Sequence, residues 1–146
     1  MIFADANLLL YAYDRSSPVH EPARRWLTEA LAGREMIGFS WHTVLAFLRI
    51  TTNSKIFRDP YSIEEAVEIV EDWFRQPSAS LLHPGEQHWM ILRRLLLETE
   101  AKGKLVMDAH LAALAIEHDT TFLTRDRDFR LFPGLRLANP LPPEEE

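Results

Sequence analysis

The chain has 146 residues, 47% hydrophobic and 26% charged, with a formal net charge of −6 at pH 7. That length predicts one domain burying about 70% of the surface its unfolded form exposes, and the composition excludes a disordered body. No cysteine is present, which excludes disulfides, cysteine-ligated zinc and thiol nucleophiles and fits a reducing compartment. The N-terminus has no basic segment and carries Asp5 inside its first apolar run, so it reads poorly as a signal peptide. Apolar runs such as Leu111–Ile116 are too short to span a bilayer, and a soluble, cytoplasmic protein is expected. The acidic balance argues against a general nucleic-acid binder. Half of it comes from the three terminal glutamates, however, while Arg125, Arg127 and Arg130 cluster.

In chain order, Ile2–Ala4 is a short apolar strand ending at Asp5, and a helix over Leu8–Tyr13 follows Asn7. Pro22–Leu31 is a helix ending at Gly33, and Met36–Phe39 is the second strand. Ser40 is placed to cap a helix over Thr43–Thr52, with Val44, Leu45, Phe47 and Leu48 as its core stripe. Ser62 and Glu65 have the spacing of a capping box ahead of a helix that keeps an apolar stripe from Ile63 to Phe74. Ala79–Leu82 is a weak strand, Glu86–Glu100 an amphipathic helix, and Lys102–Lys104 a turn. The helix over Met107–His118 is apolar almost all round, which predicts burial on both sides. Thr121–Leu123 and Leu135–Leu137 complete the strands. Residues 1–139 are expected to form the domain and 140–146 an acidic, proline-rich, disordered tail. Strands alternating with helices predict an α/β fold whose mostly parallel sheet is covered on both faces.

Asp5 and Asp126 each follow a short buried strand and so share one edge of such a sheet, where open α/β folds collect ligands. Asp108 heads the Met107–His118 helix, a place where a lone aspartate usually caps or pairs with the helix dipole. Asp126 and Asp128 equally suit a polar turn. Brought together, these carboxylates repel unless a cation neutralises them, and Mg2+, which takes hard oxygen ligands and retains waters, is the natural candidate.

Three stretches carry a resemblance: Asp5-Ala-Asn-Leu-Leu-Leu-Tyr11, Met107-Asp-Ala-His-Leu-Ala-Ala-Leu-Ala115, and Leu123-Thr-Arg-Asp-Arg-Asp-Phe129 followed by Phe132-Pro-Gly-Leu135. They resemble the motifs of the PIN-domain ribonucleases and, more narrowly, of the VapC toxins of bacterial type II toxin–antitoxin pairs, from Ile2 to Pro140. The resemblance implies a three-layer α/β/α fold and an acidic pocket that hydrolyses RNA with Mg2+, for which Mn2+ can substitute. It implies Asp5, Asp108 and Asp126 as catalytic acids and metal ligands, Asp128 close behind, and Asn7 and Thr124 as hydrogen-bonding support. It further implies a single-stranded or loop RNA substrate, a small VapB-like antitoxin and a homodimer. Arg49, Arg125, Arg127 and Arg130, with Lys55 and Arg58, are the residues expected to track the RNA backbone. His42 is a candidate for proton transfer, and His110 is expected to be structural. The antitoxin is expected in the groove between the Thr43–Thr52 and Ser62–Phe74 helices, near Ile56 and Phe57.

One position departs from the family pattern. Where relatives carry a glutamate three residues before an arginine, this chain has Ala46 before Arg49. That keeps a second reading open, a catalytically weakened RNA- or protein-binding domain of the same fold. A receiver-type Mg2+-dependent phosphoryl-transfer domain is a third, though the only lysines are Lys55, Lys102 and Lys104. Serine-hydrolase, P-loop and His-Glu-x-x-His metalloprotease signatures are absent from the sequence.

Overall fold

A computed structural model describes residues 1–143. Its five strands are β1 (Ile2–Ala4), β2 (Ile37–Phe39), β3 (Ala79–Leu81), β4 (Thr121–Leu123) and β5 (Arg136–Ala138), all pairing in parallel in the order β3-β2-β1-β4-β5. The chain steps outward from β1 through β2 to β3, then returns across β1 to lay down β4 and β5. The order therefore reverses between β1 and β4, and a crevice opens beyond their carboxyl ends. Asp5 and Thr124 are the next residues on those two strands.

Among the described residues six α-helices cover the sheet: α1 (Ala6–Tyr11), α2 (His20–Ala32), α3 (Trp41–Thr51), α4 (Ile63–Arg75), α5 (His88–Thr99) and α6 (Lys104–Glu117). Alternation along the strands sorts the core in two. Ala4, Ile37, Phe39 and Leu123 point to the face covered by α1–α4, where they meet Leu8, Leu27, Phe47 and Trp73. Phe3 and Phe122 point to the other, against Leu95 of α5 and the Leu111–Ala115 run of α6. The expected three-layer α/β/α architecture is present, and the sheet is wholly parallel.

Capping follows the sequence. The Ser40 hydroxyl accepts from the Thr43 amide while the Thr43 side chain accepts from the Ser40 amide, and Ser62 and Glu65 form the same reciprocal pair on α4. Four expectations are corrected. Leu45 does not belong to the α3 core stripe: it is 59% exposed, because the buried side of α3 is the narrower row of Thr43, Val44, Phe47 and Thr51. In the segment after α3, Ile56 is exposed but Phe57 is buried in the core beside Tyr61, so it adds nothing to a surface patch. Helix α6 begins three residues before the expected start, since only Lys102 and Gly103 form the turn; Gly103 sits at φ +61°, a conformation that costs glycine least. Asp108 therefore lies in the second turn of α6 and caps nothing. At the other end, Leu141 is buried against the α1–α4 core, and the terminal glutamates of the expected tail lie outside the described residues.

Candidate functional site

Asp5 directly follows β1, is 8% exposed, and occupies the N-cap position of α1 without making a side-chain cap. Its carboxylate instead accepts the Thr124 hydroxyl at 2.8 Å. The same hydroxyl oxygen accepts the Asp126 amide at 3.0 Å, and an Asp126 carboxylate oxygen accepts the Asp128 amide at 2.9 Å, opening a short 3-10 helix over Arg127–Leu131. The loop after β4 is thus wound so that one hydroxyl orients two acids. Asp108, buried on α6, completes the cluster: one carboxylate oxygen from each of Asp108, Asp126 and Asp128 lies within 4.8 Å of the others. Among the described residues no other group of three His, Asp or Glu side chains gathers as tightly.

Burial raises the Asp5 carboxyl above the ordinary carboxylate range; hydrogen bonds from Thr124 and the Ala6 backbone oppose the shift, and the charges of Asp108 and Asp126 add to it. Burial also raises Asp108, against the pull of Lys104. Such a set of hard oxygens under mutual repulsion fits a divalent cation such as Mg2+ or Mn2+.

A residue without a sequence-based role also enters this cluster. The Lys104 ammonium donates to Asp126 at 3.0 Å and to Asp108 at 3.3 Å. The signal was the spacing of Lys104 and Asp108, which places them one turn apart once the helix is extended back to residue 104. Tyr11 also has no sequence-based role. Its ring lines the acidic cleft of about 310 Å³ together with Asp5, Asn7, Thr124, Arg125, Asp126 and Arg127, and the Arg125 guanidinium sits 5.7 Å from its centroid. A second cleft of about 450 Å³ shares Thr124 to Arg127 and continues past Arg130, Leu137 and Asn139.

The structure thus brings together Asp5, Asn7, Asp108, Thr124, Asp126, Asp128, Arg125 and Arg127, with Arg130 alongside. Arg49, Lys55 and Arg58 are exposed and line neither cleft. Ala46 is partly buried and does not line the acidic cleft. His42 is also outside it, in a cluster with His88 and His110: His88 Nε2 and His110 Nδ1 are 3.0 Å apart, and the His42 ring centre is 6.3 Å from that of His110. The hydrogen-bonded role expected for His110 is present. No helix among the described residues is long and apolar enough to cross a membrane.

A fold that reverses at β1 and β4, with aspartates gathered at the reversal, is the arrangement of the PIN domain, and the model of that family matches residues 2–135; the chain belongs to the PIN-domain family. It is similar to Ribonuclease VapC37 of Mycobacterium tuberculosis, with 44% identity over 140 residues covering 96% of this chain and 97% of that protein. It is also similar to VapC ribonuclease Mb2897 of Mycobacterium bovis, with 36% identity over 141 residues covering 97% and 96%. Among solved structures, VapBC2 from Rickettsia felis, bound to a DNA fragment from their promoter, matches with a TM-score of 0.70 and 18% identity, covering 95% of this chain and 98% of that one. Mycobacterium tuberculosis VapC20, a sarcin-ricin loop cleaving toxin, matches at 0.63 with 15% identity, covering 93% and 99%. At these identities the two structures speak to the fold alone. Membership of this family sets the receiver-type reading aside.

Proposed function

We propose that the protein is an endoribonuclease that acts as the toxin of a toxin–antitoxin pair, cutting RNA phosphodiester bonds with Mg2+, for which Mn2+ can substitute. The observation that carries this is the approach of Asp108, Asp126 and Asp128 to within 4.8 Å of one another at the crevice headed by Asp5, in a chain whose full-length relatives are named VapC ribonucleases. Asp108, Asp126 and Asp128 would hold the ion, with Asp5 beside them. A divalent ion held by these acids would lower the pKa of a bound water and stabilise charge developing on the scissile phosphate. Thr124 holds Asp5 and the Asp126 backbone in one geometry, so both acids are set before substrate arrives. Asp5, whose carboxyl is raised above the ordinary range by burial, adds a fourth carboxylate beside the three that would hold the ion. Arg127 and Arg130, exposed along the trough, neutralise phosphates, and Arg125, steadied on Tyr11, closes its inner wall. Asn7, exposed at the mouth of the cleft, hydrogen-bonds substrate or water. A single strand or loop can thread this trough, whereas a regular duplex fits poorly.

Incubation of the pure protein with total RNA, with and without Mg2+ or Mn2+, tests this reading. Cleavage that needs the ion and vanishes in Asp5→Asn supports it, and intact RNA under every condition overturns it. A small VapB-like antitoxin is the proposed partner, seated over the acidic cleft and the exposed apolar face of α3 and α4, where Trp41, Leu45, Ile63, Val67 and Phe74 are open to solvent. The protein itself is proposed to form a homodimer. Co-purification of a small basic partner from the host, and toxicity of the chain expressed alone, test the pairing; sedimentation tests the dimer.

A further inference from the structure

Among the described residues, two ion pairs reach the acidic cluster from a residue that the family pattern did not point to. Lys104 and Asp108 lie one turn apart on α6, and the lysine stem reaches past Asp108 so that its ammonium sits between Asp108 and Asp126, at 3.3 and 3.0 Å. These are two of the three acids that approach one another closely enough to share an ion. The Lys104 side chain is 71% exposed, so once these two contacts open it can leave the cleft without disturbing the core. The ammonium is an oxygen-seeking cation held where a divalent ion would sit, and both cannot use the same carboxylate oxygens at full strength.

We propose that Lys104 is the resident counter-ion of the acidic site, competing with the divalent metal for Asp108 and Asp126, so that it steadies the metal-free protein and weakens metal loading. This rests on the reading of the cleft as a metal site. It does not require that RNA be the substrate. Electrostatics sets the direction. With the ion absent, the ammonium offsets repulsion among Asp5, Asp108, Asp126 and Asp128. With the ion present, Lys104 must be displaced, and the contacts it loses reduce the net gain on binding. Because the ammonium is largely exposed, water screens it and the effect is moderate.

The test compares the parent with Lys104→Gln, Lys104→Arg and the exposed control Lys102→Gln in two measurements made without RNA: calorimetric titration with Mn2+ and melting in EDTA. Lys104→Gln is expected to bind Mn2+ about fivefold more tightly and to melt a few degrees lower in EDTA, the difference closing at saturating Mn2+. Lys104→Arg, which keeps the charge, and Lys102→Gln are expected to stay close to the parent. Unchanged Mn2+ affinity in Lys104→Gln overturns the proposal, as does an equal gain in Lys104→Arg, which would assign the effect to the stem and not the charge. Tighter Mn2+ binding in Lys104→Gln with no RNA cut by any variant would leave this inference standing and sink the ribonuclease reading. Metal-dependent cleavage with Mn2+ affinity indifferent to Lys104 would do the reverse.

Discussion

The Thr124 hydroxyl donates to the Asp5 carboxylate at 2.8 Å, joining the ends of β1 and β4 across 119 residues of sequence. Because the same oxygen accepts the Asp126 amide, one side chain sets the spacing of two acids. The contact depends on β1 and β4 being neighbours at the point where strand order reverses, so the fold and the site have a common origin.

Removing a repelling acid should separate activity from stability. Asp5→Asn and Asp108→Asn are each expected to lower metal-dependent RNA cleavage by more than about a hundredfold. The metal-free Asp5→Asn protein should melt at the parent temperature or about 2–4 °C above it at pH 7, since the burial that raises the Asp5 carboxyl penalises its charged form. Parallel cleavage assays and thermal melts check this, and full activity in either variant would remove that acid from the site.

At position 46 the question is whether a carboxylate can be added to the site. Ala46 itself does not line the acidic cleft, so only the longer glutamate side chain could reach it; where it does, Ala46→Glu lowers the Mn2+ or Mg2+ concentration needed for half-maximal cleavage, and lowers the melting temperature in EDTA while recovering it with metal. Metal titrations of activity and melting on parent and variant provide the comparison. Unchanged metal dependence in both would show that this face of α3 does not reach the acids.

The histidine cluster should make the protein acid-sensitive. Burial lowers the proton affinity of His88, with Glu117 opposing and His118 reinforcing the shift, and burial with His88 and His42 lowers that of His110. A depressed imidazole pKa means that the unfolded chain binds more protons as pH falls. The stabilisation is therefore fully present above the ordinary imidazole value of about 6.5 and is lost as pH drops through the lowered folded values. Urea unfolding at steps from about pH 7.5 to 5 should show a slope of at most about 1.4 kcal/mol per pH unit for each histidine, reduced in His88→Gln. Equal slopes in parent and variant would refute the assignment.

Glu117 anchors the entry to α5. Its two carboxylate oxygens accept the Gly85 amide at 2.7 Å and the Gln87 amide at 2.9 Å. Glu117→Gln places an amide NH2 against one of those donors and is expected to cost about 1–3 kcal/mol. Chemical denaturation measures this directly, and a change within about 0.5 kcal/mol would show that the loop finds other partners.

Local features carried much of this protein in its sequence. Apolar alternation marks strands and helices, serines at 40 and 62 cap where capping residues should, and the three aspartate-bearing stretches are contiguous enough to identify the family without coordinates. These signals are legible because each is made by residues within a turn or two of one another. The misreadings share the opposite property. Which side of α3 is covered, leaving Leu45 open, and whether Phe57 after it is closed, depend on the elements packed against them. The start of α6 at Lys104 turns on a glycine that ends one turn and releases the next, and its consequence, an ammonium shared with Asp126, spans 22 residues. His88 and His110 likewise meet only because α5 and α6 pack side by side. Local pattern sufficed for most of the elements and for the family; the parallel sheet and its helix layers set which distant charges meet, because contact at 3 Å between residues far apart in the chain is fixed by packing and not by local pattern.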